Sequence, residues 1–452
     1  MRRFLYLSYY FPPSGGPGVQ RTLKLSKYMP DFGWTPTVVT VDAGDAAYPS
    51  EDPTLLAEVP PELDVRRTRA WDPYAAYARL LGTEKKNVVT VGFAGEGDPN
   101  LKQRVARLVR ANLFVPDARV GWVPYARREL ARLARTGEYD LILSTGPPHS
   151  THLAARSVAK KYDMPWVVEM RDPWTEIYYY EDLPMLAPAR LLDRCFEQRV
   201  LREADVTVTV SDSMKARLGE RGFPGAAVIT NGFDPADFGA PGPEIEPGTV
   251  RHVGTLGPRQ SLEALAAAVV GLPRAARDTL KMSFVGKVDP VVRRALQAVE
   301  ALGMAEFDGV VVHTEAVRRM RAAAVLLLVI PRSPDSRAII TGKTFEYLAA
   351  GRPILGIGPA DGDAARILRY TGAGEMFDWD DEPGIRKWLD DIMRRSSTGS
   401  RLPGPVPGRI EQYSRRALAE RLARMFDQIV SVEAPRTPLP IVGPVRSAGT
   451  PT

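Results

Sequence analysis

The sequence predicts an α/β protein built of two doubly wound, Rossmann-like domains, and three observations lead to this prediction. Short apolar runs alternate with longer amphipathic stretches, as strands and helices do when they follow one another along a chain. The runs are nearly continuous in Val, Ile and Leu, which is typical of parallel strands covered on both faces by helices. The alternation occurs twice along 452 residues, a length that favours more than one hydrophobic core.

The predicted strands fall into two series that set the predicted domain limits. A first domain is expected at 1–225, a second at 226–405, and a basic amphipathic helix within 406–431. The Pro-rich segment 432–452 has the composition of a disordered tail. Sheets of this type bind ligands beyond the carboxyl ends of their strands, so the expected site is the cleft between the domains. The first series comprises 4–8, 35–41, 140–145, 165–170 and 205–211, and the second comprises 227–231, 250–254, 280–286, 307–313, 324–330 and 353–358.

The composition excludes several classes of protein. The single cysteine, Cys195, excludes an internal disulfide and disfavours a cysteine-based zinc site, which fits a reducing, cytoplasmic location. No apolar run reaches the roughly 20 residues that span a membrane, and the first residues lack the pattern of a secretory signal. The net charge of +6 suits a nucleic acid, an anionic membrane surface or a phosphorylated small molecule, but no nucleic-acid-binding motif is present.

Residues 106–137 interleave Arg, Leu and Trp, and two interpretations stay open for them. A helix of this kind can lie on a membrane surface. An ordinary amphipathic helix with a solvated face has the same composition. Peripheral membrane association is therefore a hypothesis at this point.

The stretch PPSGGPGVQR, residues 12–21, follows the first predicted strand. Glycines such as Gly15 and Gly16 let backbone amides approach a phosphate there, and the next helix would add its positive N-terminal end. The spacing does not match the G-x-G-x-x-G fingerprint, which speaks against a nicotinamide-dependent oxidoreductase. A plain strand-to-helix turn is the alternative.

Two further loops follow apolar runs. STGPPHSTH, residues 144–152, contains His149 and His152, and a histidine there can act on a reacting hydroxyl, steady a sugar or merely cap the next helix. EMRDPWTE, residues 169–176, contains Arg171 and Asp172. These two side chains either form a buried structural ion pair or take part in acceptor binding.

The stretch TGKTFEYLAAGRPILGIG, residues 341–358, contains a short predicted helix that ends near Gly351. Lys343 and Glu346 lie three residues apart on one face near its start. In that position a lysine can meet a phosphate and a carboxylate can bind the two hydroxyls of a ribose. A helical Lys–Glu pair on a solvated face is the alternative.

The ordered set of motifs resembles the GT-B glycosyltransferases, specifically the retaining enzymes of family four. The resemblance covers about residues 3–430 and rests on YYFPPSGGPGVQR, STGPPHSTH, RDPW, VSDSMKARL, VITNGFD, HVGTLG and TGKTFEYLAAGRPIL. It implies two Rossmann-like domains that face a cleft, the first on the acceptor side and the second on the donor side. It also implies that the last helix, at about 414–430, crosses back to the first domain.

The resemblance further implies roles for individual residues. His149, Arg171 and Asp172 would line the reacting centre, with His149 near the transferred sugar. Glu346 would bind the nucleotide ribose and Lys343 would neutralise phosphate charge. The implied donor-binding residues are Gly15, Gly16, Gly254, Thr255, Arg259, Lys343 and Glu346.

The chain departs from the family pattern in two places. The family often has two glutamates eight positions apart, but Ala338 stands eight positions before Glu346. The family also tends to hold the diphosphate with an Arg and a Lys around the GTLG loop, where this chain has Arg259 followed by Gln260. The candidates to substitute for the missing cation are Arg332, Arg337 and Lys343.

The implied activity is the transfer of a sugar, with retention, from a UDP- or GDP-sugar to an acceptor hydroxyl in polysaccharide or glycoconjugate synthesis. Enzymes of this type stabilise the departing diphosphate with helix ends, amides and basic residues, so neither a metal nor another cofactor is expected. The acceptor would be a sugar or a lipid-linked sugar, at the inner membrane face. A sugar-nucleotide epimerase of the same fold and a non-catalytic sugar-nucleotide-binding protein are the alternatives.

Overall fold

The computed structural model describes residues 1–71, 101–178, 180–398, 400 and 402–431. Two parallel β-sheets lie within these residues, and each has the strand order of a Rossmann fold. The predicted tail at 432–452 lies outside the described residues.

The first sheet has seven strands in the order β3-β2-β1-β4-β5-β6-β7, all parallel. Its edge strand β3 has the polar sequence DVRRT, which carries no apolar run and was therefore not predicted. The strands are β1 (Arg2–Leu7), β2 (Trp34–Val41), β3 (Asp64–Thr68), β4 (Leu141–Gly146), β5 (Trp166–Met170), β6 (Val206–Thr209) and β7 (Ala227–Val228).

The second sheet has six parallel strands in the order β10-β9-β8-β11-β12-β13. The change of direction in strand order lies between β8 and β11, as it lies between β1 and β4 in the first sheet. The strands are β8 (Glu246–Val253), β9 (Lys281–Val285), β10 (Ala305–Asp308), β11 (Ala323–Val329), β12 (Ile354–Ile357) and β13 (Gly374–Phe377).

Helices connect the strands and cover both faces of each sheet. Those of the first half are α1 (Pro17–Tyr28), α2 (Leu101–Leu113), α3 (Val123–Ala134), α4 (Ser150–Tyr162), α5 (Ala187–Glu203) and α6 (Asp212–Glu220). Those of the second half are α7 (Glu263–Val270), α8 (Arg274–Arg277), α9 (Pro290–Ala295), α10 (Gln297–Ala301), α11 (His313–Ala322), α12 (Gly342–Ala350), α13 (Asp363–Thr371), α14 (Glu382–Ser397), α15 (Pro407–Ile410) and α16 (Arg415–Ser431).

The alternation of side chains along each strand divides the first domain into two apolar clusters. Leu5 and Leu7 face one cluster, which α3, α4 and α5 complete. Phe4 and Tyr6 face the other, which α1 and α16 complete. Two further clusters lie on the two faces of the second sheet in the same way. The predicted α/β class with two Rossmann-like domains is therefore confirmed.

Two predicted strands are placed differently by the structure. The sequence predicts the run 227–231 as a strand of the second series, but only Ala227–Val228 is extended, and it pairs with β6 of the first sheet. The first sheet thus continues just past the predicted domain limit at residue 225. The run 307–313 was predicted as a strand, but the strand ends at Asp308 and α11 begins at His313. Val310 and Val312 between them are exposed, so apolar composition alone was misleading there.

Arg21 in α1 joins the first sheet to the segment that leads into the second domain. Its Nε and Nη2 donate to Oε1 of Glu169 at 2.9 and 2.7 Å, and both side chains are buried. Its Nη1 and Nη2 also donate to the carbonyl oxygens of Thr230 (2.6 Å) and Ile229 (2.8 Å). The Thr145 hydroxyl donates to the second oxygen of Glu169 at 2.7 Å. Arg21 is therefore occupied by protein acceptors.

The last helix, α16, crosses back to the first domain, as predicted. The ring centroid of Phe426 lies 5.2 Å from the ring centroid of Phe4 and 5.2 Å from that of Trp34. Asp427 accepts a hydrogen bond from Trp34 Nε1 at 3.1 Å. The buried face of the helix, which fills the space beside α1, comprises Leu418, Ala419, Leu422, Ala423 and Phe426.

Truncating Phe426 should lower the denaturant concentration at which the first domain unfolds. Phe426→Ala removes a fully buried ring between two aromatic neighbours, and such a cavity costs about 3–5 kcal/mol of unfolding free energy. Urea denaturation followed by tryptophan fluorescence measures the loss. The control is Arg424→Ala, an exposed residue of the same helix, expected within about 0.5 kcal/mol of the wild type. Equal stability of the two variants would contradict the packing of α16 described above.

Removing Arg21 should destabilise the protein in a pH-dependent manner. Burial raises the pKa of Glu169, but the charge and hydrogen bonds of Arg21 outweigh burial and hold this pKa below its ordinary value of 4.5. The pair therefore stabilises the fold above pH 4.5, and this contribution is lost as the pH falls through the lowered pKa. Arg21→Met leaves Glu169 buried without its cation, which costs about 3–5 kcal/mol at pH 7.

The unfolding free energies of the wild type and Arg21→Met, measured by urea denaturation at a series of pH values, test this explanation. The difference between wild type and Arg21→Met should narrow as the pH falls towards and below 4.5, since Glu169 then takes up a proton. Arg132→Met, which breaks the half-exposed pair with Glu129, is the control and should cost under about 1 kcal/mol. If Arg21→Met lowered the unfolding free energy equally at every pH, the ion pair of Arg21 with Glu169 would not be the source of the stabilisation.

Candidate functional site

The loop after β1 turns into α1 at Gly16, which has φ +99° and is exposed. This backbone conformation favours glycine, and a Cβ at Gly16 would have no atom within 4 Å. The amide of Gly15, by contrast, donates to the Ser50 carbonyl at 2.9 Å. Of the two predicted glycines, Gly16 is therefore the one that leaves open space for a ligand.

Gly18 is the point at which this loop meets the second predicted motif. A Cβ at Gly18 would overlap Nη1 of Arg171. The Arg171 side chain donates to the carbonyl oxygens of Gly146 (3.2 Å) and Pro147 (2.5 Å). Arg171 thus ties the ends of β4 and β5 to the start of α1, and among the described residues it forms no ion pair with Asp172. Asp172 as a whole residue is exposed, but protein packed around its carboxyl group desolvates that group and raises its pKa.

His149 immediately precedes α4 and stacks on Trp174, with ring centroids 4.6 Å apart and planes 7° apart. Its Nδ1 is buried and has no hydrogen-bond partner within the part of the chain that the structure describes. Burial, with the nearby His152 and Arg171, lowers the pKa of His149 well below 6.5, so the ring is neutral at pH 7. The helix is capped by Asp117, which accepts from the Ser150 amide and hydroxyl at 2.8 Å. The capping role considered for His149 is therefore wrong.

His152 is a core residue. It is fully buried, and its Nδ1 lies 2.9 Å from the Ser144 hydroxyl. Burial and the charge of Arg171 lower the pKa of His152 to about 3. Trp174, on which His149 stacks, donates to Asp193 at 2.8 Å, and burial raises the pKa of that carboxyl to about 6.

On the second domain, Gly254 directly follows β8 and lies against Lys343 of α12. Gly254 has φ +127°, and a Cβ there would overlap Cε of Lys343. Lys343 is half-buried, forms no hydrogen bond or ion pair with another described residue, and burial lowers the pKa of its ammonium. The two predicted donor residues are thus in contact, and only glycine fits at position 254.

Glu346 lies one helical turn after Lys343 and is likewise half-buried without a hydrogen-bond partner among the described residues. Burial raises the pKa of Glu346, while the charges of His313 and Lys343 lower it. His313 is held by Asp237, whose carboxylate lies 3.4 Å from Nε2 and raises the pKa of His313. Sequence reasoning missed His313, since nothing near it in the chain marks a site.

The remaining predicted cations are engaged elsewhere. The Arg259 guanidinium lies 4.7 Å from the ring centroid of Tyr178, across the cleft, while Thr255 is exposed nearby in the chain. Arg332 pairs with Asp380 at 2.6 Å. Arg337 pairs with Asp361 at 3.0 Å. Of the three candidate substitutes for the missing family cation, Lys343 is thus the one that has no acceptor among the described side chains and backbone groups.

The predicted residues therefore form two groups on facing domains. The first lies at the carboxyl ends of β1, β4 and β5 and consists of Gly16, His149, Arg171 and Asp172. The second lies at the carboxyl end of β8 and the start of α12 and consists of Gly254, Lys343 and Glu346. The domains also meet where Asp363 accepts from the Ser213 amide at 3.1 Å and where Arg217 pairs with Asp335.

A cavity of about 500 Å³ lies between the domains, beside the contact of Arg259 with Tyr178. It is lined by aromatic and polar side chains, namely those of Thr175, Glu176, Tyr178, Tyr180, Glu181, Arg194, Gln198 and Arg221 with Pro334 and Asp335. In the part of the chain that the structure describes, no group of three or more His, Cys, Asp or Glu is placed to hold a metal ion. No helix in that part is long and apolar enough to cross a membrane.

Comparisons with known proteins show which family and which solved structures the chain resembles. Residues 85–237 match the family described as Glycosyltransferase Family 4. No curated protein matches the chain by sequence. Among solved structures, sucrose-phosphate synthase from Thermosynechococcus elongatus aligns with a TM-score of 0.60 and 16% identity over 95% of this chain and 99% of its own.

Two further structures are similar over nearly their whole length. HepE from Anabaena, in complex with UDP and glucose, has a TM-score of 0.54 and 14% identity over 95% of this chain and 100% of its own. A glycosyltransferase from Rickettsia africae has a TM-score of 0.57 and 11% identity over 95% and 99%. At sequence identities this low, the similarity to these structures shows a shared fold. The two facing Rossmann-like domains and the similar solved structures together show that the chain has a GT-B fold, and residues 85–237 within it are similar to Glycosyltransferase Family 4.

Proposed function

We propose that the protein transfers a sugar, with retention, from a nucleotide diphosphate sugar to an acceptor hydroxyl. The observation that carries this proposal is the pair Lys343 and Glu346. Two opposite charges lie one turn apart at the start of α12, half-buried and without hydrogen-bond partners among the described residues. A half-buried charge without a hydrogen-bond partner costs free energy, and a bound ligand that forms hydrogen bonds with both side chains would remove that cost. The UDP complex of HepE, a protein of the same fold, supports a nucleotide ligand.

The second-domain group suits the nucleotide end of the donor. The Lys343 ammonium, held against Gly254, would neutralise the diphosphate as its charge grows during bond cleavage. The Glu346 carboxylate would accept hydrogen bonds from the ribose hydroxyls. In this proposal amides and cations stabilise the leaving group without a metal, and turnover should survive treatment with EDTA.

The first-domain group suits the sugar end of the donor. His149 is a neutral ring at pH 7 whose Nδ1 has no partner among the described residues, so it can form a hydrogen bond with a sugar hydroxyl without carrying charge. Retention would follow from attack on the same face as the leaving group. The bond from the anomeric carbon to phosphate breaks, the bond to the acceptor oxygen forms, and a phosphate oxygen takes the acceptor proton.

The acceptor is proposed to enter through the cavity between the domains. Tyr178 offers an aromatic ring there, while Arg194 and Gln198 offer hydrogen-bond donors, a combination that suits a sugar or lipid-linked sugar. The pathway, polysaccharide or glycoconjugate synthesis, and a location at the cytoplasmic face of the inner membrane belong to the same proposal.

Replacing either charged residue of α12 should abolish transfer while preserving the fold. Lys343→Met and Glu346→Gln are each expected to lower turnover by about 100-fold or more, with melting temperatures within about 2 °C of the wild type. A thermal-shift screen with UDP-, GDP-, ADP- and dTDP-sugars first identifies the donor, and product analysis then measures transfer. Lys281→Met and Glu375→Gln, exposed residues of the same domain, are the matched controls and should retain full turnover.

Three outcomes would redirect the proposal. Full turnover in both α12 variants would refute this placement of the donor site. Release of a modified sugar nucleotide in the absence of acceptor would indicate an epimerase. Nucleotide binding without any turnover would indicate a non-catalytic binding protein, the alternative raised by Ala338 at the position of the first family glutamate.

Peripheral membrane association is proposed on the basis of α2 and the start of α5. The apolar side chains of Val105, Val109 and Leu113 are exposed on α2, and Leu186 and Leu191 are exposed at and near the start of α5. The two elements are joined because the Asn112 side chain donates to the Pro184 carbonyl at 2.9 Å and accepts from the Leu186 amide at 2.7 Å. Together these side chains form an apolar surface on the first domain.

Vesicle flotation tests the membrane surface. The wild type should float with vesicles that contain anionic lipid, and Leu113→Glu should reduce the floated fraction several-fold because it places a like charge in the apolar surface. Leu302→Glu, at an exposed leucine of the second domain, is the control and should leave flotation unchanged. Absence of wild-type protein from the floated fraction would end the membrane proposal.

A further inference from the structure

The donor site described above has few cations. Arg259 contacts Tyr178, and Arg332 and Arg337 pair with Asp380 and Asp361. Among the described residues of the donor-side group, Lys343 is then the one cation without a protein acceptor, and it faces a diphosphate that carries two or more negative charges. A second cation at this site would have to come from another part of the chain.

Arg415, the first residue of the crossing helix α16, has the required properties. Its side chain is buried, and 6% of the residue is exposed. Its backbone amide donates to the Phe233 carbonyl at 2.7 Å, which fixes where the helix starts. Its Nη1 has no hydrogen-bond partner, and its guanidinium forms no hydrogen bond or ion pair with another described residue. A buried guanidinium without an acceptor is costly, so a ligand is the expected acceptor.

The start of α16 lies against the helix that carries Lys343 and Glu346. The rings of Tyr413 and Phe345 have centroids 5.5 Å apart, so the segment just before Arg415 packs on α12 beside Glu346. On its other side this segment lies against Gly232, where a Cβ would overlap the Tyr413 carbonyl. Arg415 is therefore held between the donor-side helix and the segment that joins the two domains.

The charged and titratable groups that act on Arg415 come from four elements besides its own. They are Arg21 of α1, Glu169 and Tyr6 of the first sheet, and Glu346 of α12. Glu169 already accepts hydrogen bonds from Arg21 and Thr145 on its two oxygens, so it is not a free acceptor. Burial and the charge of Arg21 lower the pKa of Arg415 to about 9, which leaves it protonated at pH 7.

We propose that Arg415 is a further donor-binding residue, whose guanidinium binds an oxygen of the nucleotide diphosphate opposite Lys343. The inference rests on the proposed function and extends it, because it assigns part of the donor site to the crossing helix rather than to either Rossmann-like domain.

The experiment compares a ligand with and without its phosphates. Binding of UDP is measured by calorimetry and binding of uridine by ligand-observed NMR, with GDP and guanosine as the second pair. Arg415→Met should weaken UDP or GDP binding by about 10-fold or more and leave the nucleoside unchanged, since only the phosphates meet the guanidinium. Arg416→Met, at the exposed neighbour that pairs with Asp31, is the matched control and should bind like the wild type.

The outcomes separate this inference from the proposed function. A wild-type protein that binds no nucleotide would overturn both. Nucleotide binding that Arg415→Met leaves unchanged, or an equal loss for nucleotide and nucleoside, would overturn the role of Arg415 alone. If Arg415→Met does not fold, Arg415→Lys becomes the test, with UDP or GDP binding about 3- to 10-fold weaker and nucleoside binding unchanged. Unaltered nucleotide affinity in Arg415→Lys would then overturn the inference.

Discussion

The buried pair of Arg21 and Glu169 is the interaction on which the arrangement of the protein depends. Glu169 lies near the end of β5, where burying a carboxylate without a cation would cost several kcal/mol, and Arg21 offsets that cost with two hydrogen bonds. The same guanidinium holds the carbonyl oxygens of Ile229 and Thr230. Because those carbonyls belong to the segment that enters the second domain, a charge pair inside one domain also fixes where the other begins.

The two halves of the candidate site follow from this junction. The segment after Thr230 contacts the start of α16 through Phe233 and Gly232, and α16 in turn contacts α12 through Tyr413. The chain thus returns to its own domain boundary just where the donor-side charges lie. On the first domain, Arg171 donates hydrogen bonds to the carbonyl oxygens of the loop before His149 and so holds this loop against the start of α1.

Much of the fold could be predicted from the sequence because apolar runs and their spacing report burial directly. The polar edge strand at Asp64–Thr68 and the exposed run at Val310 and Val312 show where that signal fails, since pairing and exposure there depend on distant neighbours. In the site, Lys343, Gly254 and Gly16 could be located from motifs, whereas the donation of the Gly15 amide to Ser50 could not. His313 and Arg415 lie near Glu346 only through tertiary folding, so no local pattern marks them.

The packing of α16 has a consequence for how the chain folds during its synthesis. The outer face of the first sheet is closed by Leu418, Leu422 and Phe426, which are separated from Phe4 by more than four hundred positions. The N-terminal domain therefore emerges from the ribosome with an uncovered apolar face and keeps it until the rest of the described chain has been made. Contacts of such sequence separation form slowly and expose the nascent chain to aggregation, so the first domain is expected to need chaperone protection while the second is being translated.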